Sequence, residues 1–96
     1  MRRWAEEAAN RLREIHDYIA QDSPSGAAKV VSGIYERVQL LKSFPELGHK
    51  YKSELEDDMR ILLYGHYRIA YLIKGKETIE VLGVFHGAMD IEGYLT

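Results

Sequence analysis

The period of the apolar residues changes once along this chain, near Tyr51, and that change limits what it can fold into. Before it, apolar residues recur three and four apart, as on one face of a helix. After it they alternate, or gather in short blocks rich in β-branched and aromatic residues, as in strands. Helices first and strands second, without interleaving, predict an α+β domain with the helices packed on an antiparallel sheet.

The first helix is expected from about Ala5 to Gln21, with Ala8, Leu12, Ile15 and Ile19 on the apolar side and Arg11, Arg13, Glu14 and Asp17 on the other. Ser23 is placed to cap a second helix whose first residue is Pro24, where the missing N–H costs nothing. That helix runs to about Ser43 with the stripe Ala27, Val30, Val31, Ile34, Val38 and Leu41. Phe44-Pro45 stops it, because a residue before proline avoids helical geometry. Only a tight connection separates the two, so an antiparallel α-hairpin is expected.

Met59 to Tyr64 is an apolar run broken only by Arg60, and Gly65-His66 follows as a hairpin turn. Tyr67, Ile69, Tyr71 and Ile73 then alternate with Arg68, Ala70 and Leu72, giving a strand with one apolar face. Lys74 to Glu77 is a polar turn, and Thr78 to Phe85 is the last strand. The expected core architecture is an α-hairpin on a twisted antiparallel sheet of three to four strands, with Tyr51–Glu54 as the possible fourth. Met1 to Trp4 is too short to decide whether it adds another. No repeat or linker divides residues 1–96, so one domain is expected.

The composition excludes several function classes. There is no cysteine, hence no disulfide, thiolate nucleophile or cysteine zinc site. No apolar run approaches the ~20 residues of a membrane span. The opening Met1-Arg2-Arg3-Trp4 has no apolar secretory core, so a cytoplasmic protein without membrane attachment is expected. The formal net charge of -2 weighs against tight, non-specific nucleic-acid binding, which needs cations for phosphates. The chain has no Gly-rich phosphate loop, nucleophile elbow or histidine pair on one helical turn, and neither metal nor cofactor is expected.

A few residues remain as chemical candidates. Arg60 sits inside an apolar strand, where the neighbours Met59 and Ile61 point away from it, so its face is expected to be the open one. It reads either as an anion-recognising arginine or as the partner of the acidic run Glu54, Glu56, Asp57 and Asp58. Arg68 is expected near it on a neighbouring strand. Tyr67 and Tyr71 share the other face, as core aromatics or as a stacking surface. His86 ends the last strand four residues before Asp90; the pair reads as a proton-transfer couple or as a pin for the C-terminal turn. His16 and His49 read as solvated or structural.

Taken in order, these residues resemble the RelE/ParE superfamily of toxins from bacterial type II toxin–antitoxin pairs. The resemblance runs from Ala5-Glu6-Glu7-Ala8 through Leu12, Ile15, Tyr18-Ile19 and Asp22-Ser23-Pro24. It continues through Ala28 to Ile34, Leu41, Phe44-Pro45-Glu46-Leu47-Gly48, Arg60, Tyr67 to Tyr71, Ile79 to Val84, His86 and Asp90. It spans nearly the whole chain and rests on the ordered set rather than on one motif.

The resemblance implies a growth-inhibiting toxin held in a hetero-oligomer by a cognate antitoxin that folds on binding. The family has two mechanisms. RelE-like members cleave mRNA on the ribosome with basic residues and a C-terminal acid or base; the candidates here are Arg60, His86, Lys50 and Lys52. ParE-like members instead bind DNA gyrase. RNA-cleaving relatives carry an arginine just after the last strand, where this chain has Gly87 and Ala88. His86, Met89 and Asp90 match the ParE-like ending. The ParE-like reading is therefore expected, with Arg60, Arg68, His86, Met89 and Asp90 as the effector surface. A member that binds its antitoxin but has lost toxicity is the third expectation, motivated by the same Gly87 and Ala88.

Overall fold

A computed structural model describes residues 2–51, 58–75 and 78–87 of the chain. Strand β1, Arg2–Trp4, leads directly into helix α1, Glu6–Ala20, and Ala5 N–H is bonded to Val81 C=O at the junction. Glu6 and Glu7 occupy the first turn of α1, where carboxylates meet the positive end of the helix dipole. Helix α2 spans Pro24–Leu40 and starts as its sequence requires: Ser23 is extended and its hydroxyl accepts from Gly26 N–H at 3.0 Å. Its regular part is shorter than the stripe predicts. Residues 41–43 form turns, with Phe44 N–H bonded back to Leu40 C=O.

The strands β2 (His49–Lys50), β3 (Asp58–Tyr64), β4 (Tyr67–Lys74) and β5 (Thr78–His86) complete a five-stranded sheet in the order β1-β5-β4-β3-β2. The central strands form the expected antiparallel meander. Both edges differ from the expectation. The N-terminal strand is real and pairs parallel with β5, which makes the sheet mixed. The other edge is His49–Lys50, just before the expected Tyr51–Glu54. Tyr51 N–H adds one more bond, to Met59 C=O, and residues 52–54 lie outside the described residues.

Two short devices set the register. Gly65, with φ of +55°, is the first residue of a two-residue turn between the paired Tyr64 and Tyr67, the position that only glycine fills without strain. In β5 the partner of Ala70 is Gly83 while that of Tyr71 is Val81, so Leu82 is an extra residue. This bulge inverts the alternation of β5 beyond it. Val84 joins Val81 on the helix side and Phe85 moves to the other side.

The main core lies between the helices and one face of the sheet. Ala8 and Leu12 of α1 and Ile34 and Val38 of α2 meet Leu62, Ile69, Tyr71 and Val81. Ile34, Val38 and Ile69 have no exposed surface, and each such side chain contributes about 1.5–3 kcal/mol of burial. Ile15, Val30 and Val31 pack at the margin. Trp4 also reaches this layer, and its ring lies 5.0 Å from that of Tyr35, joining β1 to α2. The opposite face carries a second cluster of Met59, Ile61, Ala70, Leu72 and Phe85.

Candidate functional site

Arg60 does not stand on an open face. Met59 and Ile61 point to the second cluster, and Arg60 points with Leu62 and its cross-strand partner Tyr71 to the helix side. This is the reverse of the face expected from sequence, and the reason is that both sides of the sheet are buried. At the margin of the helix layer the guanidinium closes over the turn that follows α2. It donates to Asp58 Oδ2 at 3.2 Å and to the carbonyls of Gly48 at 2.9 Å and Glu46 at 3.3 Å. The Glu46 carboxylate lies 4.0 Å away. Of the acidic partners considered from sequence, Asp58 is the one seen, and 54, 56 and 57 lie outside the described residues.

Tyr71 holds the same turn from below. Its hydroxyl donates to Pro45 C=O at 2.7 Å and accepts from Gly48 N–H at 2.9 Å. Burial pushes the phenol above its usual pKa, against the opposing effect of the Gly48 bond and the Arg60 charge. Tyr71 is thus a core aromatic. The turn it secures presents Phe44 and Leu47 to solvent, beside a depression of about 760 Å³ reaching Asp58 and Ile73.

The second group of candidates gathers at the far end of β3. Arg68 pairs with Leu63, three residues along the strand from Arg60, and on the opposite face. At the usual strand rise that is about 10 Å, so the two arginines expected together are apart. Arg68 Nη2 donates to Gly87 C=O at 3.1 Å. His86 is placed by the β5 bulge beside Tyr67, edge-on with ring centroids 5.7 Å apart. The His66 ring lies near parallel to that of His86, with centroids 6.3 Å apart. Leu63, Gly65, His66, Arg68, His86 and Gly87 line an open depression of about 540 Å³. Every ionisable side chain among its described lining residues is basic.

Lys50 is exposed on β2 and in register with Arg60. Lys52, Met89 and Asp90 lie outside the described residues, and so does the His86–Asp90 pair. Two further residues contribute that the sequence pattern does not single out. His66 is one; the Gly65-His66 turn signal becomes a site signal only once β5 is known to pair with β4. Arg37 is the other. It leaves α2 to donate Nε and Nη2 to Leu63 C=O at 3.2 and 3.0 Å, a contact that no local pattern announces. Among the described residues no group of three metal-ligating side chains converges. No described helix is long and apolar enough to cross a membrane.

A small helical hairpin packed on a five-stranded mixed sheet defines an α+β class of protein, and its described candidate residues line two open depressions. The family profile described as "ParE toxin of type II toxin-antitoxin system, parDE" matches residues 2–91, and the chain belongs to this toxin family. A protein of Sinorhizobium fredii named "Putative toxin Y4kP" is 34% identical over 84 residues, which is 88% of this chain and 84% of that protein. A solved structure titled "Chromosomal ParDE TA system from P. aeruginosa" is similar with a TM-score of 0.72 and 27% identity. It covers 88% of this chain and 92% of that one.

Proposed function

We propose that this toxin-family chain inhibits DNA gyrase by protein binding and is neutralised by a cognate antitoxin. The observation that carries the reading is the commitment of Arg60 to the fold. Cleaving RNA without a metal requires an acid, a base and cations converging on one phosphate. Arg60 is bonded to Asp58 and two backbone carbonyls, and it faces away from Arg68. What remains is an exposed surface for a partner. Arg68 and His86 form its described part, and Met89 and Asp90 continue it in sequence. Arg60 contributes at a separate place, holding through Glu46 and Gly48 the turn that exposes Phe44 and Leu47.

A second reading, a RelE-like ribosome-dependent endoribonuclease, has one observation in its favour: His66, Arg68 and His86 line one depression. In that reading His86 is the acid or base, and Lys50 or Lys52 supplies charge. Inducing the chain alone in bacteria separates the two. Gyrase-linked DNA breaks with intact mRNA are expected. Cut mRNA with normal supercoiling overturns the gyrase reading, and soluble protein with neither lesion nor growth defect leaves a non-toxic antitoxin binder.

A further inference from the structure

Phe44 and Leu47 stand 61% and 45% exposed on the turn that follows α2, and neither packs against either core cluster. Their backbone is nevertheless held in place. Tyr71 bonds Pro45 C=O and Gly48 N–H, and Arg60 bonds the carbonyls of Glu46 and Gly48. These bonds order a segment whose apolar side chains lie outside the core. An apolar pair ordered in advance binds a partner without the entropic cost of arranging it first.

The chemistry beside the pair is acidic. The depression of about 760 Å³ runs from Phe44 and Leu47 to Asp58 and Ile73, and Glu46 and Asp58 are the ionisable groups of its described lining. Arg60 reaches both carboxylates, lying 4.0 Å from that of Glu46 and 3.2 Å from that of Asp58. A pair of carboxylates against a single guanidinium leaves an excess of negative charge there. The Glu46 side chain stands mostly in water, where it can turn towards a partner. Asp58 gives Oδ2 to Arg60, while its buried Oδ1 has no hydrogen-bond partner among the described residues. A buried carboxylate oxygen without a donor is uncommon in a finished structure. A donor brought into the depression has that acceptor to meet.

We infer that this depression makes a second contact with gyrase and receives an arginine set among apolar residues on that enzyme's surface. This rests on the gyrase reading and adds a contact place and its chemistry. An enzyme that handles DNA needs cations for the phosphates, so basic side chains are plentiful on it. Arginine suits the depression best. Its planar guanidinium lies over the Phe44 ring and donates to the Glu46 carboxylate, and its apolar neighbours cover Leu47. Arginines seated in pockets carry a large share of binding energy. The depression at His66, Arg68 and His86 has the opposite sign. Two contacts of opposite charge fix the orientation of one protein on another.

The test measures binding of the fluorescently labelled chain to purified gyrase by anisotropy, over a range of salt. Glu46→Lys reverses the exposed charge and keeps the carbonyl that Arg60 holds. Phe44→Ser removes the exposed ring and keeps the backbone. Each is expected to weaken gyrase binding at least tenfold, with Glu46→Gln losing less and showing a flatter salt dependence than the wild type. If Phe44→Ser does not fold, the Glu46 variants decide alone. Full-strength binding by the folded variants overturns the contact place and leaves the gyrase reading standing. Failure of the wild-type chain to bind gyrase overturns both. Variants that keep gyrase binding but lose the antitoxin, or lose self-association, give the depression to that occupant and overturn the inference as well.

Discussion

Tyr71 and Arg60 show how a functional-looking residue acts by holding backbone in place. Replacing Tyr71 with Phe keeps the ring in the core but strands Gly48 N–H and Pro45 C=O, for which Tyr71 is the partner. Leaving such buried groups unsatisfied costs about 1–3 kcal/mol. Urea unfolding of Tyr71→Phe is expected to show a loss of that size. The raised phenol pKa has its own signature. The neutral form is favoured in the folded state, so its contribution to stability is complete below the ordinary value of 10.0 and is lost as pH rises through the higher folded value. Tyr71→Phe should remove that alkaline loss. At the other edge, Glu80 is held below its usual pKa, first by the hydrogen bond from Arg3, then by Lys74. Its stabilisation is present above 4.5 and disappears as pH falls through the lower folded value. Acid unfolding of Glu80→Gln is expected to be less pH-dependent there.

Among the elements, the turn after α2 and the bulge in β5 do the most to build the exposed surfaces. Gly48 is wedged so closely that a Cβ would lie 2.7 Å from Ile61 C=O and 2.9 Å from the Tyr71 hydroxyl. Neither is the free end of a flexible chain. Gly48→Ala is therefore expected to destabilise by about 1–3 kcal/mol, the usual cost of overpacking, with Phe44 and Leu47 displaced. Thermal melting of the purified variant checks the first part, and gyrase binding checks the second. The helices, hairpin and meander were legible because capping, periodicity and turn chemistry are local signals. The face of Arg60 is not legible in the same way, because Met59 and Ile61 beside it predict an open Arg60 face only on a sheet with one buried side, and this sheet is buried on both. The bulge at Leu82 was not legible either. The adjacent apolar pairs Val81-Leu82 and Val84-Phe85, with Gly83 between them, break the alternation without saying which residue is the extra one, yet that residue sets His86 beside Tyr67 and His66.

At the scale of the whole molecule, two faces of one sheet are buried and its margins carry the recognition features. Arg60 and Arg68 occupy opposite faces, and the Arg60 charge is taken up by Asp58 and the turn carbonyls within the fold. The exposed Phe44, Leu47 and Leu63 suit contact with a protein. The pI of about 6.1 fits the same account, since affinity for nucleic acid rests on an excess of positive charge. Family membership was legible in the order of many weak signals along the chain, whereas the choice of target depends on where a few side chains point. The most direct test is a supercoiling assay with purified DNA gyrase, relaxed plasmid and this chain. Concentration-dependent loss of supercoiling, reversed by the antitoxin and weakened by His86→Ala, is the predicted result. Unchanged supercoiling at saturating amounts of the folded protein would contradict the account.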